Sequence, residues 1–148
     1  MDSLQIQKII DHDKESKNIF GGVLAYDELP KKVKWPSCYI INTDIRSKPG
    51  THWLAVYYNK NGSVEFFDSF AMGPEFYKLD AYLLKTSKSC IFNTLQIQSL
   101  DSDYCGIYAV LFILFRCKKV SFRDFLLNFN LDTFKNDKEI KKLFDMFN

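Results

Sequence analysis

Cys105 and Gly106 close a polar run, Gln98-Ser99-Leu100-Asp101-Ser102-Asp103-Tyr104, and open an unbroken apolar one from Ile107 to Phe115. A turn-forming loop that feeds such a stretch predicts a helix that is hydrophobic all round and therefore buried. A cysteine in its first turn meets backbone N–H groups that lack intrahelical partners and the positive end of the helix dipole, and both favour thiolate over thiol. That is the chemistry of a nucleophile. A free cysteine in an apolar run is more often simply packed, so the reading depends on whether the chain also supplies a base, a group to orient it and donors for an oxyanion.

The chain has two histidines. His12 stands in Asp11-His12-Asp13-Lys14-Glu15 and reads as solvated surface, whereas His52 begins an otherwise apolar stretch beside Trp53 and is the candidate base. Asp68 lies in Phe66-Phe67-Asp68-Ser69-Phe70, where a carboxylate is expensive to bury without a partner. Pairing with an imidazole N–H would supply that partner and fix the tautomer. Glu65 is the rival carboxylate, expected to be solvated on the opposite face. Gln98 can offer a side-chain amide which, with the Cys105 backbone N–H, would form an oxyanion hole, although Gln96 and Gln5 are no different by composition.

These residues need a scaffold that brings them together. Thr51–Tyr58 and Ser63–Phe70 read as a hairpin whose three-residue loop, Lys60-Asn61-Gly62, places Gly62 in the left-handed position and pairs Asn59 with Ser63. In that register His52 faces Phe70, Asp68 faces Leu54, and His52 and Asp68 share a face with Leu54, Val56, Val64 and Phe66. Trp53, Ala55, Tyr57 and Phe67 point the other way. A shift of one residue would separate the pair, so the inference rests on register. Apolar residues on both faces imply a sheet covered on both sides.

Around the hairpin, Asp2 or Ser3 can cap an amphipathic helix carrying Leu4, Ile6, Ile9 and Ile10. Phe20–Ala25 and Cys38–Asn42 read as extended, Gly73-Pro74 starts a helix with Phe76, Leu79, Leu83 and Leu84, and Cys90–Gln98 reads as a strand. The buried helix should end at Cys117-Lys118-Lys119. Ser121 caps a helix with Phe122, Phe125 and Leu126, and Asn136 or Asp137 caps a last one with Ile140, Leu143, Phe144 and Phe147. The expectation is an α+β chain, residues 1–148 as one domain, with a mixed central sheet of about five strands, helices on both sides and the buried helix at the centre.

Composition narrows the classes. Twenty basic against 18 acidic residues leave a formal charge of +2, so nothing global calls for nucleic acid or membrane. The lysine groups at 31, 32 and 34 and at 135, 138, 141 and 142 read as solvated faces. Cys38, Cys90, Cys105 and Cys117 lack CxxC spacing and a paired histidine cluster, so the expectation is no metal, no cofactor and reduced thiols in an intracellular protein. No signal peptide is visible, and the apolar run 107–115 is too short to span a bilayer.

Taken as an ordered set, His52-Trp53, Asp68, Gln98 and Cys105-Gly106 at the head of a hydrophobic helix resemble the adenovirus endopeptidase (adenain) and its relatives, including proteases of virus-like DNA transposons. The pattern is also similar to that of the ubiquitin-like-protein (SUMO) proteases, which share the fold. The resemblance runs from about Gly21 to Arg116. It implies a papain-like site reached in a different chain order, with His52 as base, Asp68 as orienter, Gln98 as oxyanion donor and Cys105 as nucleophile. Trp53 and Gly106 would line the substrate cleft, Trp53 as an aromatic wall under the histidine.

The Gln-to-Cys spacing matches adenain, while Asp68 stands where adenain carries Glu and SUMO proteases carry Asp. By resemblance the substrate is a polypeptide, a virion or capsid precursor cut near glycine, in the host nucleus or cytoplasm or inside the virion. The resemblance also implies an activating peptide or DNA, for which this chain shows neither a matching cysteine nor a groove. Alternatives are a SUMO-type deconjugating protease, an acetyltransferase using the same thiol, and a binding module without turnover.

Overall fold

Fourteen phenylalanines and eight tyrosines give this chain enough aromatic surface to build two separate apolar layers, and the sheet divides them. The computed structural model describes residues 1–147. Five strands, β1 (Phe20–Leu24), β2 (Ser37–Asn42), β3 (Trp53–Tyr58), β4 (Ser63–Phe67) and β5 (Ser89–Phe92), lie side by side in chain order. The inner pairs β2–β3 and β3–β4 are antiparallel, and the outer pairs β1–β2 and β4–β5 are parallel. The helices are α1 (Ser3–His12), α2 (Asp80–Thr86), α3 (Cys105–Cys117), α4 (Phe122–Leu126) and α5 (Thr133–Phe147). The α+β class, the five-stranded mixed sheet and the central buried helix are as expected.

The hairpin register follows the turn. Ala55 pairs with Phe67, Val56 with Phe66, Tyr57 with Glu65 and Tyr58 with Val64, and the Asn59 N–H reaches the Ser63 carbonyl at 2.8 Å. Gly62 has φ +91° and donates back to the Asn59 carbonyl, the left-handed step that a three-residue loop requires. Side-chain parity then sends Ala55, Tyr57 and Phe67 into a core with α1, α3, α4 and α5, and Leu54, Val56, Tyr58, Val64 and Phe66 into a smaller one with Leu79 and Leu83.

In the larger core Phe67 stacks on Phe112 of α3 with ring centroids 4.9 Å apart, and Phe125 meets both edge-on. Fully burying one such side chain is worth about 1.5–3 kcal/mol. Every residue of α3 from Cys105 to Ile113 is buried. Asp2 caps α1 through a reciprocal capping box with Gln5, and Ser121 caps α4.

Several expectations need correction. The hairpin strands are shorter than the apolar pattern, so His52 lies just before β3 and Asp68 just after β4. The segment after Gly73 is not one helix: a 3₁₀ turn, Pro74–Tyr77, ends at Lys78 with φ +58°, and α2 starts at Asp80. Leu79 and Leu83 are buried while Phe76 and Leu84 are exposed. Extended pairing from Cys90 stops at Phe92, because Asn93 turns inward to bond the Asp68 backbone.

The last helix begins before Asn136. Asp132 accepts the Lys135 N–H at 3.2 Å, and Asn136 and Asp137 are buried within the helix rather than capping it. The Phe147 side chain lies outside the described residues. Glu65 is buried, not solvated. It accepts from Arg116 Nε at 2.6 Å and Nη2 at 3.0 Å, while Arg116 lies over the Tyr57 ring. The predicted lysine groups are exposed. Among the described residues, no helix is long and apolar enough to cross a membrane.

Candidate active site

Antiparallel pairing of β3 with β4 brings the residues just outside their ends together, which is why His52 and Asp68 meet although 16 positions separate them. His52 Nε2 donates to Asp68 Oδ1 at 2.7 Å. Nδ1 is then the ring nitrogen left for the thiol. The imidazole stacks on Phe70 at 4.7 Å between ring centroids and lies 6.0 Å from Tyr77. The wall under the histidine is therefore Phe70, not Trp53 as the resemblance implied.

Asp68 is fully buried, and each of its carboxylate oxygens is engaged. Oδ1 also accepts the Phe70 N–H at 3.0 Å, and Oδ2 accepts the Met72 N–H at 3.1 Å and the Tyr77 hydroxyl at 2.6 Å. Ala71 takes φ +59° to return the chain for these bonds, a conformation that costs a non-glycine residue about 1–2 kcal/mol. Burial, and then the Asp68 carboxylate, push the Tyr77 phenol up, so it remains a donor. Asn93 grips the Asp68 backbone on both sides, accepting its N–H at 3.1 Å and donating to its carbonyl at 2.7 Å. Tyr77 and Asn93 carry no signature in sequence.

Cys105 opens α3, as the apolar run predicted, and is 9% exposed. Burial by itself would push the thiol up. The adjoining His52, together with the backbone N–H groups of Trp53 and Gly106, outweighs burial and holds the thiol below its ordinary value. On His52, burial favours the neutral ring, but Asp68 and Cys105 raise it to about 9. Both shifts favour the thiolate–imidazolium form of the pair, with Asp68 holding the other ring nitrogen.

Gln98 is fully buried in the segment entering α3. Ser69 Oγ donates to its Oε1, and its Nε2 donates to the Ser102 carbonyl and to Ser102 Oγ, both at 3.0 Å. The amide nitrogen thus faces the loop that leads to the nucleophile. Service to an oxyanion requires one bond to Ser102 to be exchanged for the substrate oxygen. Gly106 is buried, and a Cβ there would lie 3.1 Å from Trp53 Cδ1 and 3.2 Å from Met1 Cβ. The Trp53 indole N–H bonds the Met1 carbonyl at 3.0 Å. A polar cleft of about 450 Å³, lined in part by Met1 and Trp53, opens between the start of α1, β1 and residues 42–50.

His12 is exposed and far from this cluster in role, its Nδ1 lying 2.6 Å from the Lys8 carbonyl. Among the described residues no group of His, Cys, Asp and Glu could hold a metal ion. The arrangement can favour a nucleophilic thiolate and shuttle one proton, while the Gln98 amide nitrogen is engaged by Ser102.

No family model matches the chain. It is 30% identical over 122 residues to a protein of African swine fever virus named as a cysteine protease, a match that takes in 72% of this chain and 44% of that protein. The chain thus spans less than half the length of this relative. Among solved structures it is similar to that virus's protease (TM-score 0.51, 21% identity, covering 81% of this chain and 60% of that one) and to ChlaDub1 from Chlamydia trachomatis (0.50, 18%, 66% and 47%). AvrA, solved with IP6 and CoA, is similar to the same degree (0.52, 17%, 79% and 50%). At these identities the likenesses establish the fold alone, an α+β arrangement shared with the viral protease and ChlaDub1.

Proposed function

We propose that the chain is a cysteine-type endopeptidase, a hydrolase that uses Cys105, His52 and Asp68 as its triad and Gln98 as an oxyanion donor. The single observation that carries this reading is the lowered Cys105 thiol beside a raised His52 whose other nitrogen is held by Asp68 at 2.7 Å. The relative named as a cysteine protease supports the same activity. The thiolate attacks the scissile carbonyl carbon, and the carbonyl electron pair moves to oxygen, where Gln98 and backbone N–H groups receive it. His52 then gives its proton to the leaving amine and the C–N bond breaks, leaving a thioester. Water, deprotonated by the now neutral His52, attacks the thioester carbonyl, the C–S bond breaks, the carboxylic acid product leaves, and the thiolate is restored beside a protonated His52.

The substrate is a polypeptide, and the viral relative together with the adenain-like Gln-to-Cys spacing supports a virion or capsid precursor cut near glycine. Trp53 and Gly106 would line the narrow part of the cleft. The enzyme would work in the infected host's nucleus or cytoplasm, or within the particle. One observation favours a second reading: Asp68 stands where SUMO proteases have Asp and adenain has Glu, which suits a deconjugase for ubiquitin-like modifiers.

Mapped cleavage of a capsid-precursor peptide and of a panel of modifier-linked reporters decides between them. Cutting of the precursor, abolished by Cys105→Ala and by His52→Ala, is the expected result; efficient cutting of the reporters alone would hand the site to the second reading. An acetylated Cys105 after incubation with acetyl-CoA would point instead to acyl transfer.

A further inference from the structure

Two polar side chains of α5, Asn136 and Asp137, are 2% and 6% exposed, although the rest of the helix follows an ordinary amphipathic pattern. A buried carboxylate is costly unless its partners repay the loss of water. The partners here converge on one short segment. Asp137 Oδ2 accepts the Ser99 N–H at 3.2 Å, and Oδ1 accepts the Tyr108 hydroxyl at 2.7 Å. Asn136 Nδ2 donates to the Ile97 carbonyl at 3.0 Å, and the Tyr108 hydroxyl lies 3.3 Å from that same carbonyl. From the opposite side the Ser69 carbonyl accepts the Ile97 and Gln98 N–H groups at 3.0 and 3.1 Å. The residues on each side of Gln98 are thus held by α5, and Gln98 itself is held by Ser69.

We infer that Asn136 and Asp137, with the Tyr108 hydroxyl, are positioning residues that fix the backbone around Gln98 so that its amide nitrogen faces the nucleophile's loop. The inference rests on the proposed role of Gln98 as oxyanion donor and deepens it. An amide that must meet a developing charge loses its value when displaced by about 1 Å, a misplacement that can cost on the order of 10²-fold in rate. An isolated oxyanion donor, when removed outright, costs about 10²–10³ in kcat. A partial loosening should fall below that ceiling.

The test uses Asp137→Asn, which keeps volume but cannot accept from both Ser99 and Tyr108, and Tyr108→Phe, which removes only the hydroxyl. Each is made in the wild-type chain and in the Gln98→Ala background. Expected is a fall in kcat of about 10-fold to 10²-fold with KM nearly unchanged, and little or no further loss when Gln98 is already absent. Equal losses in both backgrounds would mean general destabilisation and overturn the inference, as would an unchanged kcat.

A second readout does not depend on turnover. In the wild type the Gln98 side-chain amide protons should be resolved and protected from exchange by NMR, and in Asp137→Asn they should lose protection while α3 amides keep theirs. Retained protection would overturn the inference. If the wild type cleaves nothing, the peptidase reading fails and the NMR arm still decides the positioning.

Discussion

Cys105 and His52 share a proton whose location sets the working pH range. Below the depressed value of the thiol the sulfur is protonated and unreactive, and above about 9 the imidazole loses the proton that the leaving amine needs. Between these limits the pair is ionised. Alkylation of Cys105 by iodoacetamide should accordingly be fast at neutral pH and exceed that of Cys90, which burial pushes up, while turnover should fall as pH rises through about 9. Mass-spectrometric alkylation rates and a pH–rate profile check both limbs. A Cys105 rate no greater than that of Cys90 at pH 7 would contradict the ionised pair.

At this scale the sequence was informative where chemistry is scarce. Two histidines, one of them in a charged run, left little choice of base, and an aspartate among phenylalanines had to have a partner. The register already set Phe70 opposite His52, but Tyr77 and Asn93 were illegible because their roles arise from a turn folding back on Asp68, and nothing in a tyrosine or an asparagine near a turn announces that.

Among elements, α3 is fastened at both ends. Its N-terminus presents Cys105, and eleven residues on its C-terminal end is held by Arg116, whose guanidinium also reaches Asn59 Oδ1 at 3.1 Å and the Val120 carbonyl at 2.8 Å. The Glu65 contact locks this end to the middle of β4. Removing one member strands a buried charge, so Arg116→Met should destabilise the fold by about 3–5 kcal/mol, and the double variant Arg116→Met/Glu65→Leu by less than the two single changes combined. Urea denaturation of the three variants measures this. Additive losses would show that the pair acts as two independent contacts.

Periodicity and turn chemistry made α3 and the hairpin register readable, since nine apolar residues and a well-placed glycine leave few alternatives. They did not reveal the break at Lys78 or the early end of β5. Those are set by the demand of Asp68 for donors from residues 70–77 and by Asn93 leaving the ladder to hold it.

Across the whole molecule, the sheet separates a large core beneath α3 from a small one beneath α2. β5 sits at an edge, with Ile91 and Phe92 exposed and a single neighbouring strand. Its amides should exchange faster with solvent deuterium than those of β3 and α3 by about an order of magnitude or more, as expected of an element with few buried contacts. Hydrogen-exchange mass spectrometry on overlapping peptides reads this directly, and uniform protection across the sheet would argue against it.

The division between the layers also bears on when the protein first becomes reactive. His52 and Asp68 flank a hairpin closed by a three-residue loop, whereas the sulfur sits more than thirty residues further along the chain, on a helix that docks by long-range packing. Until it docks, Cys105 is an ordinary thiol, without an imidazolium beside it. A site divided in this way is complete only once α3 has docked, since two of its side chains belong to a local hairpin and the third to an element that follows it in the chain.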